Sequence, residues 1–475
     1  MINQAMCFIN GQWLAGGHHE VTQIINPYSK QVIGTQVHAQ EADVEQALQA
    51  AYEARKEIAD IPIHQRASIL TKASQLLQER KVAFAKLISS ELGKPLKNTL
   101  DEVSRSVETL QLSAEEAKRL NGETIDGSSS ERGVGSYAMI FRVPVGVVAA
   151  ITPFNAPLNL VCHKVGPTFA AGNVTVLKPA PQTSLTATAI VQLLLEAGMP
   201  KQAIQMVLGG VSAGQQIVSD DRVNVISFTG GLVAARHIAR EAGMKKTLFE
   251  LGGNAATIIA EDADIDKAAR LCAQTGYSNS GQSCISVQRI YVQGSIIDSF
   301  VGKLKEYVAE LVVGDPLDEQ TDVGTMVDEQ AADRIMEWIE EAKEEGAEVV
   351  AGGVQNGAHV KPTILVNPTK HSKVVCEEVF GPLVCVIPIQ SFEEGITEAN
   401  DSNFGLQVGI FTNDFNKIQH AIRELEAGGI VVNGTSNYRL DHWPYGGVKN
   451  SGIGREGPRF AIEEMTEMKM VVIRS

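Results

Sequence analysis

Two short segments carry side chains that can do covalent chemistry. Cys284 ends the sequence GQSC at 281–284, and Glu250 opens the sequence ELGGN at 250–254, thirty-four positions earlier. A cysteine thiolate is the strongest nucleophile that protein side chains offer near neutral pH. A carboxylate close to it can act as a general base, either on the thiol or on an attacking water. The pair therefore predicts covalent attack on an electrophilic carbon.

Each of these residues also has an ordinary structural interpretation. A lone cysteine is most often a small buried apolar side chain, and a glutamate at the end of a strand is usually solvated. The setting favours chemistry, because Cys284 ends the polar sequence SNSGQSC, unlike the apolar surroundings of Cys162 and Cys385. Two glycines soon follow Glu250 and permit a tight turn and the close approach of a ligand to the backbone.

The two segments resemble the active-site signatures of the aldehyde dehydrogenase superfamily, and the similarity extends from about residue 10 to the C-terminus. The late sequence PYGGVKNSG at 444–452 also matches the family. The resemblance implies that Cys284 attacks an aldehyde to give a thiohemiacetal. It also implies that Glu250 activates the water that hydrolyses the resulting thioester. Members that pass the acyl group to coenzyme A typically lack this glutamate, so hydrolysis to a free acid is expected.

A third catalytic group is expected in the sequence TPFNAP at 152–157. Asn155 lies there between two prolines that stiffen the loop, just after a strand-like run at 147–151. By itself, an asparagine in such a place is a turn residue. In the family, the matching asparagine donates to the oxyanion of the tetrahedral intermediate, together with the backbone N–H of the nucleophile. A preorganised donor of this kind contributes roughly 10²- to 10³-fold in rate.

The resemblance implies a nicotinamide cofactor, NADP or NAD. Gly230 and Gly231 join a strand-like run to a helical one, so the helix N-terminus can hold a pyrophosphate. The family pattern has a serine where this chain has Gly231, and a later glycine where it has Ala235. Further positions that the resemblance assigns to the cofactor are Thr152, Pro153, Phe154, Lys178, Leu251, Glu378 and Phe380.

Lys178 and Pro181 bear on the choice between the two cofactors. Lys178 matches the family lysine at the adenosine ribose, and many NAD-preferring members carry a glutamate three residues later, where this chain has Pro181. Without that carboxylate a 2′-phosphate meets no repulsion, and a lysine pairs with it well. The sequence therefore favours NADP, with use of both cofactors as the alternative. Glu378, in EEVFGP at 377–382, matches the glutamate that holds the nicotinamide ribose.

Two arginines and a serine are candidates for substrate binding. Arg105 matches a position that binds the substrate phosphate in non-phosphorylating glyceraldehyde-3-phosphate dehydrogenases of the superfamily, although a helix-surface role is an equal alternative. Arg439 precedes a motif that lines the aldehyde tunnel in relatives and supplies a second cation. Ser283 and Ala156 stand where phosphate-using relatives carry arginine and tyrosine. A small polar, anionic aldehyde is therefore expected, and lactaldehyde, succinic semialdehyde and phosphono- or sulfo-substituted aldehydes remain open.

Composition and charge argue against several other classes. A chain of 475 residues with 44% apolar content should divide into two or more domains. It has no apolar run long enough to span a membrane, and its first residues do not resemble a secretion signal, so a cytoplasmic protein is expected. Six scattered cysteines without a CxxC pair predict free thiols and no metal site. A net charge of −15, dispersed along the chain, disfavours nucleic acid as a partner.

Short apolar runs alternate with helical runs along most of the chain, which is typical of doubly wound α/β domains. A Rossmann-like cofactor-binding domain is predicted at 1–120 and 139–249, and a catalytic domain at 250–452. Strands of the first domain are expected at 146–151, 174–178, 204–208, 225–229 and 247–251. Strands of the second are expected at 288–292, 349–351, 384–389, 408–412 and 430–433. Ligands in such sheets bind beyond the carboxyl ends of the strands, where the polar motifs lie.

Helices are expected near the start of the chain, at 41–59, 64–92 and 100–120. Residues 121–138 and 453–475 are expected to form a β-strand arm. This arm resembles the oligomerisation strands of the family, which extend the sheet of a neighbouring subunit and imply a homodimer or homotetramer.

Two alternative functions follow from the same residues. A coenzyme A-acylating dehydrogenase would share the nucleophile, but the presence of Glu250 argues against it. A non-catalytic binding or structural protein on the same fold need not keep Cys284, Glu250 and Asn155 together, and all three are present.

Overall fold

The computed structural model describes residues 2–14 and 16–474. The helices along these residues are α1 (Glu41–Ala59), α2 (Ile63–Glu79), α3 (Lys81–Leu92), α4 (Leu96–Ala117), α5 (Asn159–Ala170), α6 (Ser184–Glu196), α7 (Val211–Ser219), α8 (Leu232–Glu241), α9 (Ile265–Gly276), α10 (Ile297–Ala309), α11 (Glu329–Glu344), α12 (Lys373–Cys376), α13 (Phe392–Asn400), α14 (Phe415–Glu424) and α15 (Pro458–Glu464).

The strands along the same residues are β1 (Gln4–Ala5), β2 (Phe8–Ile9), β3 (Gln12–Trp13), β4 (Val21–Ile25), β5 (Val32–Val37), β6 (Glu123–Asp126), β7 (Ser136–Pro144), β8 (Val147–Ile151), β9 (Val174–Lys178), β10 (Ile204–Met206), β11 (Val225–Thr229), β12 (Lys246–Glu250), β13 (Ala256–Ile259), β14 (Arg289–Gln293), β15 (Glu348–Ala351), β16 (Gln355–Asn356), β17 (His359–Val360), β18 (Thr363–Val366), β19 (Leu383–Ile389), β20 (Phe404–Gly405), β21 (Gln407–Phe411), β22 (Gly429–Val432), β23 (Val448–Lys449), β24 (Gly452–Ile453) and β25 (Thr466–Arg474).

The largest sheet has eight strands, in the order β24-β12-β11-β8-β9-β10-β2-β3. The strands from β12 to β10 in that order run parallel. Strands β8 and β9 are buried along their whole length and consist largely of apolar residues, as expected for strands covered on both faces. The chain order reverses between β8 and β11, and ligands of such sheets bind at the carboxyl ends of the strands beside that point.

A second sheet has seven strands, in the order β15-β18-β19-β14-β13-β21-β22. Its neighbouring strands are parallel except β15 and β18, which pair antiparallel. The chain order reverses here between β13 and β21. Together the two sheets confirm the predicted α/β class with two doubly wound units.

Strands β25, β7 and β6 form a separate antiparallel sheet. Strands β7 and β25 pair over their full lengths, from Ser136 opposite Arg474 to Pro144 opposite Thr466. Strands β6 and β25 lie in the two segments expected to form a β-strand arm, 121–138 and 453–475, whereas β7 begins at Ser136 and continues to Pro144, beyond the expected bound. No helix within 2–14 or 16–474 has the length and apolar content needed to cross a membrane.

The sequence prediction is wrong in three details. The helix expected at 64–92 is two helices, α2 and α3, which meet at Arg80, whose side chain pairs with Glu196 at 2.8 Å. The predicted strand series leaves out β13 and β18, which have only four residues each, and apolar runs that short do not separate a strand from a helix segment. Strand β15 joins its sheet antiparallel rather than as part of a parallel series.

Candidate active site

The loop before Cys284 has an unusual backbone conformation. Asn279, Ser280 and Gly281 have φ angles of 52°, 55° and 71°, in the left-handed region that residues with a side chain rarely adopt. A Cβ atom at Gly281 would clash with the carbonyl oxygen of Gly381, so only glycine fits there. Backbone strain of this kind persists where the surrounding packing holds it, and it is concentrated at functional sites.

Cys284 lies half-buried at the end of this loop. Its Sγ atom is 3.2 Å from Oη of Tyr445. Burial raises the pKa of the thiol to about 12, while the hydrogen bond with Tyr445 and the charge of Arg439 act in the opposite direction. The carboxyl groups of Glu378 and Glu250 add to the rise. The thiol is therefore protonated at neutral pH, and a nucleophilic role for it requires groups that favour the thiolate.

Glu250 ends β12 and is buried near the nucleophile. Burial raises the pKa of its carboxyl well above the usual range, and the negative charge of Glu456 adds to the rise. Among the described residues Oε2 of Glu250 has no hydrogen-bond partner. A Cβ atom at Gly446 would lie 2.8 Å from Oε1, so this glycine leaves room for the carboxyl. A carboxyl whose pKa is raised towards neutral pH is suited to general-base catalysis.

Asn155 follows β8 and contacts the nucleophile loop. Its Nδ2 donates to the carbonyl oxygen of Gln282 at 3.0 Å, two residues before Cys284. Its own carbonyl oxygen accepts from Nζ of Lys94 at 3.1 Å and from Nδ2 of Asn279 at 3.2 Å. These three hydrogen bonds hold Asn155 against the loop that carries Cys284.

A buried ion pair holds Lys94 in place. Its Nζ donates to Oε2 of Glu102 at 2.6 Å. The other carboxylate oxygen accepts from the backbone N–H groups of Leu158 at 2.9 Å and Asn159 at 3.2 Å, at the start of α5. A carboxylate at a helix N-terminus satisfies unpaired N–H groups and is favoured by the helix dipole. The pair therefore fastens α4 to the loop that carries Asn155.

The carboxyl ends of β8, β9 and β11 present polar groups without partners. The hydroxyl oxygens of Thr152 and Thr229 are buried and make no hydrogen bond within the described part of the chain. Lys178 is also buried there, and burial lowers the pKa of its ammonium group to about 8. A Cβ atom at Gly231 would meet nothing within 4 Å, so the start of α8 has open space. The phosphates and ribose of a dinucleotide fit this set of donors.

Glu378 and Phe380 each contact another part of the candidate site. Glu378 contacts the segment that follows Glu250, and Phe380 contacts a residue that the sequence assigns to the cofactor. Oε1 of Glu378 accepts from the backbone N–H of Gly253 at 2.9 Å, and a side chain at Gly252 would clash with this carboxyl. Burial raises the pKa of Glu378 to about 7. The ring of Phe380 lies edge-on to that of Phe154, with 5.9 Å between the ring centres. The two sheets therefore meet along one crevice.

Arg105 lies on α4 and donates to both carboxylate oxygens of Asp441, from Nε at 2.9 Å and from Nη2 at 2.7 Å. The Asp441 side chain is only 2% exposed, and it also lies 3.1 Å from Nδ2 of Asn159 and 2.8 Å from Nε2 of His163. Despite burial, the contacts with His163 and Arg105 hold the pKa of Asp441 well below its usual range. Nη1 of Arg105 makes no hydrogen bond to any described residue, and the arginine side chain is 32% exposed.

Arg439 lies deeper in the same group of charges. Its Nη2 donates to Oε2 of Glu456 at 3.1 Å, and its guanidinium carbon is 3.8 Å from the centre of the Tyr445 ring. Nζ of Lys164 donates to the other carboxylate oxygen of Glu456 at 3.0 Å. Burial and the charge of Arg439 lower the pKa of His163, so this histidine is neutral at pH 7. The charge of Arg439 therefore shifts the pKa of neighbouring groups such as His163.

The structure brings the predicted catalytic residues into one neighbourhood, where the segment Tyr445–Gly446 contacts both Cys284 and Glu250. Ser283 is half-buried beside the nucleophile, and Leu251 and Pro153 adjoin other site residues. The sequence analysis left five groups of the site without a role: Lys94, Lys164, Asp441, Tyr445 and Glu456. Tyr445 and Asp441 lie in or near sequences that matched the family, which was the available signal. The other three lie outside any motif.

Comparison with known proteins places this site in a family. The sequence profile of the aldehyde dehydrogenase family matches residues 13–471. A 3-sulfolactaldehyde dehydrogenase from Priestia aryabhattai is 46% identical over 473 residues, which cover 99% of this chain and 98% of the relative. A lactaldehyde dehydrogenase from Methanococcus vannielii is 37% identical over 475 residues, which cover 98% of this chain and 100% of the relative.

Solved structures agree with the sequence relatives. The crystal structure of an NADP-dependent glyceraldehyde-3-phosphate dehydrogenase from Bacillus halodurans C-125, complexed with NADP, covers 100% of both chains at 36% identity, with a TM-score of 0.97. A family match over nearly the whole chain and relatives of this similarity confirm the resemblance drawn from the motifs. The chain belongs to the aldehyde dehydrogenase family and is an NAD(P)-dependent aldehyde dehydrogenase.

Proposed function

We propose that the protein oxidises a three-carbon 2-hydroxyaldehyde that carries an anionic group on its third carbon, and releases the free acid. The observation that carries this proposal is the net charge of a cluster of five side chains near Glu250, the proposed general base. Arg105, Arg439 and Lys164 bring three positive charges, while Asp441 and Glu456 bring two negative charges. Burial and the charge of Glu456 raise the pKa of Glu250. Apart from Glu250, these five groups carry one positive charge in excess, and an anionic group of the substrate would balance it.

The relatives support a substrate of this shape. Sulfolactaldehyde, lactaldehyde and glyceraldehyde 3-phosphate, named in the three relatives, share a hydroxyl group next to the aldehyde and differ at the third carbon. Nη1 of Arg105 is the proposed donor to the anionic group, Arg439 adds its charge from behind Tyr445, and Ser283 adds a hydroxyl beside the nucleophile. Since this chain has Ser283 and Ala156 where phosphate-using relatives carry arginine and tyrosine, we favour a sulfonate over a phosphate.

Three residues carry the proposed chemistry. The thiolate of Cys284 attacks the aldehyde carbon, a C–S bond forms, and the carbonyl electron pair moves onto oxygen, to which Asn155 donates. The nicotinamide ring supplies the hydride acceptor when the cofactor is bound. Glu250 takes a proton from the water that attacks the thioester, and collapse of that intermediate releases the acid and restores the sulfur. The presence of this base disfavours acyl transfer to coenzyme A.

NADP is the proposed preferred cofactor, with NAD as the alternative. Lys178 offers a cation with no ion-pair partner among the described residues, and Pro181 cannot repel a 2′-phosphate. Glu378 is proposed to hold the nicotinamide ribose. The remaining proposed cofactor contacts are Thr152, Pro153, Phe154, Gly230, Gly231, Leu251 and Phe380.

Domain division and assembly are proposed from the sheets. The two larger sheets support a cofactor-binding domain at 1–120 and 139–249 and a catalytic domain at 250–452. The arm is proposed at 121–138 and 453–475, and the sheet of β6, β7 and β25 exposes apolar side chains such as Phe141, Met468 and Met470. An apolar strand surface of this kind suits a second copy of the chain, so we propose a homodimer or a tetramer of two dimers. Free thiols suit a cytoplasmic location.

Steady-state formation of NADPH and NADH with matched aldehydes tests the proposal. Sulfolactaldehyde should give a higher kcat/KM than lactaldehyde, and NADP should be preferred to NAD. Equal or better turnover of lactaldehyde would contradict the anionic pocket. Cys284→Ala should abolish turnover with every aldehyde, and any retained formation of reduced cofactor would overturn the covalent mechanism.

A further inference from the structure

Tyr445 is the side chain that hydrogen-bonds to the sulfur of Cys284. Its phenol oxygen lies 3.2 Å from Sγ, within the range of a hydrogen bond to sulfur. Only 7% of the tyrosine is exposed, and its ring packs with Ile285 and Leu406 in a small apolar cluster that Cys284 borders. The contact is therefore shielded from bulk water, where a hydrogen bond to a charged atom is strong.

The backbone on both sides fixes the position of the phenol. The N–H of Tyr445 donates to the carbonyl oxygen of Glu456 at 3.0 Å, and the N–H of Glu456 donates back at 2.6 Å. The side chain of Glu456 in turn holds Arg439, whose guanidinium carbon lies over the tyrosine ring, 3.8 Å from its centre. A cation over the ring face makes the phenol hydroxyl a better donor, because it withdraws electron density from the oxygen.

Four charged or titratable groups act on the Cys284 thiol besides its burial. Glu378 and Glu250 disfavour the thiolate, whereas Tyr445 and Arg439 favour it. Burial keeps the phenol itself protonated, since it raises the pKa of Tyr445 well above its usual range. A protonated phenol can donate to a thiolate and cannot compete with it as a base.

We propose that Tyr445 is a further catalytic residue, whose phenol O–H donates a hydrogen bond to the sulfur of Cys284 and stabilises negative charge there. This inference rests on the proposed role of Cys284 as the nucleophile. It gives a chemical reason for a tyrosine at a position where phenylalanine would fill the same apolar cluster.

The hydrogen bond acts at two steps and transfers no proton. Before attack, the sulfur holds the electron pair left when the thiol loses its proton, and Tyr445 donates to that pair. The donation weakens as the pair becomes the new C–S bond. When the hydrated thioester collapses, the oxygen pair re-forms the carbonyl, the C–S bond breaks, and its electron pair returns to the sulfur. Tyr445 then stabilises the leaving thiolate of Cys284 in the same way.

Tyr445→Phe removes the hydroxyl and keeps the ring under Arg439, so it tests the hydrogen bond alone. The readout is the rate at which iodoacetamide alkylates Cys284, followed against pH by peptide mapping. Both the variant and its parent carry Cys376→Ser, because Cys376 is exposed and would also react, while the four other thiols are buried. The assay needs no aldehyde, so it gives an answer even if the proposed substrate is wrong.

The expected result is a slower alkylation at each pH below the thiol pKa, by about tenfold or more, which displaces the pH profile upward by roughly one unit. Tyr307→Phe is the matched control, since its phenol donates to Asp266 on the protein surface and should leave the profile unchanged. An unshifted profile in Tyr445→Phe would overturn the proposal. A change in melting temperature without a shifted profile would mean that the tyrosine only packs.

A second measurement covers the case in which Tyr445→Phe does not fold. Replacement of Tyr445 by 3-fluorotyrosine keeps the shape of the ring and makes the phenol a stronger hydrogen-bond donor. It should displace the alkylation profile in the opposite direction, to lower pH. A displacement to higher pH, or none, would contradict donation to the thiolate.

Discussion

Substitution of Arg105 by methionine tests the anionic pocket most directly. Methionine keeps an apolar stem of similar length and removes the charge. Two of the three guanidinium nitrogens of Arg105 are already bonded to Asp441. Nη1 has no hydrogen-bond partner among the described residues and is the nitrogen proposed to meet an anionic group of the substrate, so the expected loss is that of one charge-assisted contact.

The size of the effect follows from that count. A hydrogen bond to a charged group contributes about 1.5 to 3 kcal/mol, which corresponds to roughly 10- to 150-fold in kcat/KM. Arg105→Met should lower kcat/KM for sulfolactaldehyde by a factor in this range. Lactaldehyde has no anionic group, so its kcat/KM should change by less than about threefold.

The same substitution also disturbs Asp441, which loses two hydrogen bonds and keeps those with Asn159 and His163. Because Arg105 is a third exposed and its charge is partly screened by water, we expect a loss of about 1 to 2 kcal/mol in the free energy of unfolding. Thermal melting measures this loss. The ratio of kcat/KM between the two aldehydes is insensitive to it, since both substrates meet the same folded fraction.

Arg119→Met is the matched control. Arg119 follows α4, as Arg105 lies within it, but pairs with Glu115 and Glu116 on the surface. The control should leave the ratio between the two aldehydes unchanged. If Arg105→Met lowers kcat/KM for both aldehydes by the same factor, Arg105 serves only to hold Asp441, and the reasoning from its free nitrogen is refuted.

Three further predictions concern the base and the cofactor. Glu250→Gln should keep a pre-steady-state burst of reduced cofactor and lower steady-state turnover by about 10²- to 10⁴-fold, and unchanged turnover would remove the water-activating role. Because folding raises the pKa of Glu250, its neutral form carries no penalty at low pH, and stability falls as pH rises towards the folded-state pKa. Melting temperatures should therefore favour Glu250→Gln over the parent increasingly as pH rises; a constant difference would contradict this. Lys178→Met should raise KM for NADP by about tenfold, in steady-state titrations, and that for NAD less; equal changes would remove its proposed role in selecting NADP.

Most of the fold could be predicted from the sequence because the buried parallel strands appear in it as short apolar runs. Strands β9 and β11 have the bounds that their apolar runs predict, since a strand covered on both faces needs nearly continuous apolar residues. Strands β13 and β18 could not be predicted, because a mostly apolar run of only four residues fits a strand and a helix segment equally well. The break at Arg80 has no proline or glycine to mark it. It follows from packing that the local sequence does not encode.

The candidate catalytic residues could be named from the sequence for a different reason. Cys284, Glu250 and Asn155 each lie in a short segment whose glycines or prolines shape the loop around the reacting group, so each leaves a local pattern. Lys164 and Glu456 leave none, because their pairing spans 292 positions and depends on how α5 packs against the segment that precedes α15. The sequence could name the two arginines as cations. It could not show that each already has a carboxylate partner.

The buried charges and Tyr445 together set the pKa values that govern proton transfer from Cys284 to its proposed base, Glu250. Transfer of a proton from one group to another costs about 1.4 kcal/mol for every unit by which their pKa values differ. Burial and the charge of Glu456 raise the pKa of Glu250, which brings it closer to the higher pKa of the Cys284 thiol. The hydrogen bond from Tyr445 and the charge of Arg439 both lower the pKa of the Cys284 thiol. Arg439 and Lys164 lower the pKa of Glu250 as well, so the groups that bring the two pKa values closer are Glu456, which raises that of Glu250, and Tyr445, which lowers that of the thiol.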